Sequence, residues 1–228
     1  MMPLYLIGIL FAAIGWFVQY RLKSKFEKYS KSTLGSGLSG KEIAEKMLSD
    51  HGIYDVKVIS VEGTLTDHYN PVNKTVNLSR DVYHGRSAAS AAVSAHEVGH
   101  AVQHATAYAW LNFRSAIVPV VSAASGIMPW LFMAAIFLMS RFPVLLLLAI
   151  IAQAALTLFT IVTLPVEFDA SKRALIWIKD RNVAVATEYD EAKDALKWAA
   201  LTYVVAALAA IAQLLYLIML YMGGRRRD

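Results

Sequence analysis

The chain has no cysteine. A disulfide framework is therefore excluded, and any metal site must be built without thiolate, from histidine and carboxylate. Charge is also scarce: 17% of the 228 residues are charged against 57% hydrophobic, which is too apolar for an ordinary soluble domain. Acids are outnumbered, giving a net charge of +5. The bases gather beside apolar runs rather than along a groove interleaved with aromatics. They read as membrane orientation signals, and nucleic acid is not expected as a partner.

Several long stretches hold no charge at all. Residues 4–18 are apolar and are followed by Arg21, Lys23, Lys25, Lys28 and Lys31. With no basic start and no small-residue cleavage site, this reads as an uncleaved span rather than a signal peptide. Residues 117–139 reach about 34 Å as a helix, enough for a ~30 Å hydrocarbon core, although Pro119 and Pro129 lie inside. Ser140 to Pro143 reads as a tight turn before another span, in which Gln153 and the threonines are expected to make helix–helix contacts. The expected order is a span at 1–20, an α+β part at 21–116, spans at 117–139 and 143–164, further helices at 165–198, a span at 199–222 and a basic tail at 223–228. The fold class is mainly α: a polytopic membrane protein of about four transmembrane helices with a small α+β part.

That α+β part is read from local signals. Ser39 or Gly40 caps a helix whose Ile43, Met47 and Leu48 form an apolar stripe. Val56, Val58 and Val61 suggest a strand. Thr64 to His68 and Thr75 to Leu78 flank a turn-rich segment and predict a hairpin. Such a hairpin either offers an open edge to an extended substrate or only covers a neighbouring helix.

The chemistry is concentrated in His96-Glu97-Val98-Gly99-His100. Ser87 is a plausible N-cap, and the helix it opens is expected over about 87–107. Residues i and i+4 share a helix face, so His96 and His100 can both address one zinc ion. Zinc lowers the pKa of a bound water, and Glu97 can take its proton as general base. Gly99 inside the helix would let another backbone approach closely.

Two histidines leave the ion one protein ligand short. The extended His-x-x-x-His-x-x-Gly-x-x-His pattern fails, because its last position is Thr106. His104 stands about 12 Å from His96 along the helix, too far for a shared ion, and reads as a supporting residue. Glu167 is the better third ligand, with Asp169 or Ser171 orienting a ligand from behind. Pro165 suits the first turn of a helix carrying it. His68, Tyr69 and His84 are candidates for stabilising an oxyanion, solvated loop residues being the default.

Further stretches carry a resemblance. They are Ser36-Gly37-Leu38-Ser39-Gly40-Lys41-Glu42-Ile43-Ala44, Leu65-Thr66-Asp67-His68-Tyr69-Asn70-Pro71, Val82-Tyr83-His84-Gly85-Arg86-Ser87, the His96–His100 motif, and Leu164-Pro165-Val166-Glu167-Phe168-Asp169-Ala170-Ser171. Together they resemble the YugP-type family of bacterial membrane zinc metallopeptidases over nearly the whole chain. The resemblance implies a zinc-dependent, membrane-bound peptidase. Glu167 is similar in placement to the third ligand of the wider group that includes the CAAX-prenyl protease and HtpX-like enzymes. That group shows Glu-x-x-x-Asp, whereas the fifth position here is Ser171, which leaves Asp169 as the nearby carboxylate.

The reading that follows is an endopeptidase with one catalytic zinc ion and a protein or peptide substrate held at, or leaving, the lipid bilayer. An intramembrane site-2-type protease would need an acidic ligand inside a span, and none of the spans carries one. A scaffold or chaperone-like protein with a relic site would need a damaged constellation. The bases after residue 20 and those at Lys172, Arg173, Lys179 and Arg181 point to the cytoplasmic side of a bacterial cytoplasmic membrane; Arg225 to Arg227 count against that orientation.

Overall fold

The computed structural model describes residues 2–138 and 142–224. The turn expected at Ser140 and the tail arginines Arg225 to Arg227 fall outside them. The chain is mainly helical, with a three-stranded sheet inserted near its start. The elements are α1 (Met2–Tyr29), α2 (Gly40–Asp50), β1 (Lys57–Val61), β2 (His68–Asn70), β3 (Thr75–Ser79), α3 (Arg80–His84), α4 (Ala88–Ala105), α5 (Ala109–Leu138), α6 (Pro143–Asp180) and α7 (Ala186–Gly224). Among the described residues, α1, α5, α6 and α7 are each long and apolar enough to cross a membrane.

Two compact units are formed. One takes the chain up to Phe17, Phe113–Leu164 and the chain from Thr202; the other takes Val18–Asn112 and Pro165–Leu201. In the first, Leu146, Tyr216 and Leu217 are buried together. Thr157 Oγ1 and Gln153 Nε2 both donate to the Ala210 carbonyl, at 3.2 and 3.4 Å. These polar groups join α6 to α7, the use expected of them in a medium without water. Much of the remaining apolar surface, including Trp130, Ile151 and Met219, faces outward, as it must where lipid is the solvent.

The second unit holds the core on which the site is built. Ser39 caps α2 through a capping box: its hydroxyl accepts from the Glu42 N–H, and its own N–H donates to Glu42 Oε2 at 2.7 Å. Ile43 and Met47 of α2, Val76 and Leu78 of β3, and Val82 of α3 are fully buried with Ala89, Ala91, Ala92 and Ala95 of α4. Small side chains at Ala88, Ala91, Ala92 and Ala95 let α4 lie deep in this core.

The sheet has the order β1-β3-β2. β1 runs parallel to β3, Lys57 opposite Thr75, and β2 runs antiparallel, His68 opposite Asn77. The expected hairpin is present, but its first strand starts at His68, not Thr64. Gly63 and Leu65 have φ of 101° and 58°, so the chain is turning where extended backbone was expected. Asp67 then accepts from the Ser79 N–H and hydroxyl, pinning the entry to the strand. Asn70 Oδ1 closes the turn by accepting from Val72 and Asn73.

Pro165 does not begin a helix. It lies inside α6, which continues unbroken from Pro143 to Asp180. An internal proline costs about 3 kcal/mol through its missing N–H. Here Val166, Ala170 and Ala174 recur every fourth residue and are completely buried, so packing of this face outweighs the local preference.

Candidate metal centre

Ser87 caps α4, accepting from the Ser90 N–H, and the uninterrupted run behind it carries His96 and His100 one turn apart. Their rings stand edge to face, with centroids 4.8 Å apart. Glu167 comes from α6. Its Oε2 lies 3.3 Å from His96 Nε2 and 3.5 Å from His100 Nε2. Gly99 makes this possible, because a Cβ there would fall 2.6 Å from the Ala170 carbonyl oxygen. The close backbone approach expected at Gly99 is the α4–α6 crossing itself.

Whether a zinc ion fits can be tested on these distances. At metal–ligand lengths of about 2.1 Å, two ligands on a tetrahedron are separated by about 3.4 Å. The two carboxylate–imidazole separations straddle that value. Moreover, Glu167 Oε2 is buried, and no hydrogen-bond donor among the described residues reaches it. A buried carboxylate oxygen facing two imidazole nitrogens is costly unless a cation or protons lie between them. Two nitrogens and an oxygen are also a donor set suited to zinc. The residues present therefore fit the ion.

Each histidine is held from behind. Ser171 Oγ is 3.1 Å from His96 Nδ1. His100 Nδ1 is 3.1 Å from Gln103 Oε1, and Gln103 Nε2 in turn donates to Asp169 Oδ2 at 2.9 Å. Ser171 thus touches a histidine directly, while Asp169 acts through Gln103. Sequence reasoning passed over Gln103. A signal existed: it is an amide three residues after His100, on a helix whose buried positions are mostly small or apolar.

Glu97 is nearly buried and accepts from the Tyr69 N–H of β2 through Oε2, at 3.0 Å. Asp67, close by, has its carboxyl raised by burial, against the pull of Ser79, with the Glu97 charge adding to the rise. The other candidates are dispersed. His104 does not join the cluster; its Nδ1 is 2.9 Å from the Tyr69 hydroxyl. The His68 ring is taken by the Thr66 carbonyl, and the His84 ring packs against Tyr83.

A family model described as "Putative neutral zinc metallopeptidase" matches residues 4–222. The chain belongs to this family. A relative, the "Putative membrane protease YugP" of Bacillus subtilis (strain 168), is 44% identical over 221 residues, covering 96% of this chain and 97% of that protein. No solved structure matches. Membership makes the protein a zinc peptidase acting on protein substrates, and the four apolar helices make it a membrane protein.

Proposed function

We propose that this zinc metallopeptidase is an endopeptidase, that His96, His100 and Glu167 hold a single zinc ion, and that Glu97 is its general base. The observation carrying this reading is the Glu167 carboxylate oxygen, buried without a donor and standing 3.3 and 3.5 Å from two imidazole nitrogens. When bound there, zinc supplies Lewis acidity and draws the pKa of a water toward neutrality. Glu97 accepts the proton of the attacking water and passes it to the leaving amine. The Tyr69 N–H holds one Glu97 oxygen and thereby aims the other.

Of the two roles open to the hairpin, the geometry favours support of the base. The Tyr69 N–H is committed to Glu97, and position 71, the next to share its direction along the strand, is a proline with no N–H. A substrate pairing with this edge would find few donors. Tyr69 is the oxyanion candidate closest to the chemistry, since its own amide touches Glu97 and its hydroxyl reaches the turn after His100.

The substrate is a protein chain held at the bilayer or leaving it. Glu167 follows the apolar run ending at Leu164 by three residues, at about 1.5 Å of rise each. The bases on both sides of the site region support a cytoplasmic face, in the cytoplasmic membrane of a bacterial cell. The test uses the full chain in detergent, incubated with an unfolded protein. One zinc per chain, with cleavage stopped by a chelator and restored by zinc, is expected. Zinc-loaded protein that leaves the unfolded chain intact overturns the reading.

A further inference from the structure

We infer that Gln103 is the positioning residue that fixes which nitrogen of His100 carries the proton and ties that histidine to the helix bearing Glu167. The inference rests on the zinc site proposed above, but it is drawn from a separate set of contacts.

The Gln103 side chain is completely buried, so each of its polar atoms needs a partner. Its Nε2 lies 2.8 Å from the Val166 carbonyl and 2.9 Å from Asp169 Oδ2. A carbonyl and a carboxylate only accept, so the amide nitrogen must face them and both its hydrogens are used. The amide cannot be flipped without setting oxygen against oxygen twice. Oε1 is thereby left facing His100 Nδ1 at 3.1 Å. An amide oxygen donates nothing, so His100 Nδ1 must be the donor. The lone pair is then on Nε2, the nitrogen 3.5 Å from Glu167 Oε2. His96 has no such constraint, because the Ser171 hydroxyl can donate or accept.

The same amide fixes position as well as tautomer. Val166 immediately precedes Glu167, so one side chain grips a histidine of α4 and the backbone beside the carboxylate of α6. Asp169 Oδ2 is itself held by the Arg173 Nε at 2.6 Å, which prevents Asp169 from swinging away from the amide.

The test compares zinc affinity, by competition with a chromophoric chelator, in the full-length protein in detergent and in Q103L, which keeps the volume and loses every hydrogen bond. Q103L is expected to bind zinc about 10–100-fold more weakly. Equal affinity of Q103L and parent overturns the role of Gln103. Failure of the parent itself to bind zinc would instead sink the metal-site reading. Should Q103L fail to fold, nitrogen-15 spectra of the parent's imidazoles decide. A proton on Nδ1 of His100 in the zinc-loaded chain is expected, and a proton on Nε2 overturns the inference.

Discussion

Gly99 of α4 meets the Ala170 carbonyl of α6 backbone to backbone, with no room for a Cβ between them. His100 follows one member of this pair, and Glu167 precedes the other by less than a turn. The crossing therefore sets the distance between His100 and Glu167. Gly99→Ala gains about 1 kcal/mol of helix propensity. It loses about 1–3 kcal/mol to overpacking, since the opposing atom is backbone and cannot swing aside. The expected outcome is a net loss of stability in thermal unfolding, together with at least a tenfold loss of zinc affinity, because displacements near 1 Å are felt at such sites. A variant that melts and binds zinc like the parent would show that the crossing does not set the site.

Glu97→Gln removes the proposed proton acceptor but keeps the shape and the bond from the Tyr69 N–H. Glu97 is not among the three residues that converge. Zinc content should therefore stay at the parental level while kcat falls by about 10²–10⁴-fold. Metal analysis and peptide cleavage on the same preparation separate the two effects. Parental turnover in this variant rules out Glu97 as the base.

The reach of the sequence follows from what is local. His96 and His100 are legible because their spacing is a property of one helix, and the Ser87 and Ser39 caps are legible because a cap acts within a turn. Glu167 was reachable as the acidic residue standing just past a charge-free run. Pro165 misled because the local preference of proline was outweighed by burial of Val166, Ala170 and Ala174, a tertiary effect. The parallel pairing of β1 with β3 joins segments with β2 between them, and nothing in either strand announces it. Gln103 was missed because its meaning depends on acceptors more than sixty residues away.

Tyr69→Phe tests the oxyanion assignment. The change deletes the hydroxyl that reaches His104 and leaves the amide on Glu97. If the hydroxyl serves the developing oxyanion, kcat falls about 10²–10³-fold with zinc affinity unchanged. His104→Ala, which removes only its partner, should cost less than tenfold by the same argument, since the hydroxyl itself survives. Equal small losses in both variants would assign the pair to packing of β2 on α4.

Acidification should narrow the difference in stability between the metal-free and the zinc-loaded protein. In the metal-free chain, burial works to lower the pKa of His100, but the Glu167 carboxylate, with help from Glu97 and Gln103, raises it above the ordinary value. A group whose folded pKa is raised adds stability that is complete below its unfolded value, about 6.5, and fades as pH rises through the folded value. Metal-free protein should accordingly gain this contribution on going from about pH 8 to about pH 6. Zinc needs the same nitrogen unprotonated, so each displaced proton costs the ion about tenfold in affinity per pH unit below the raised pKa. Above the unfolded value, zinc-loaded protein holds this proton neither folded nor unfolded, so its melting temperature should stay level while the metal-free form gains, and the advantage given by zinc should shrink. Thermal unfolding with saturating zinc and with chelator, across that range, checks both slopes. Parallel curves would mean that proton and metal do not compete for His100.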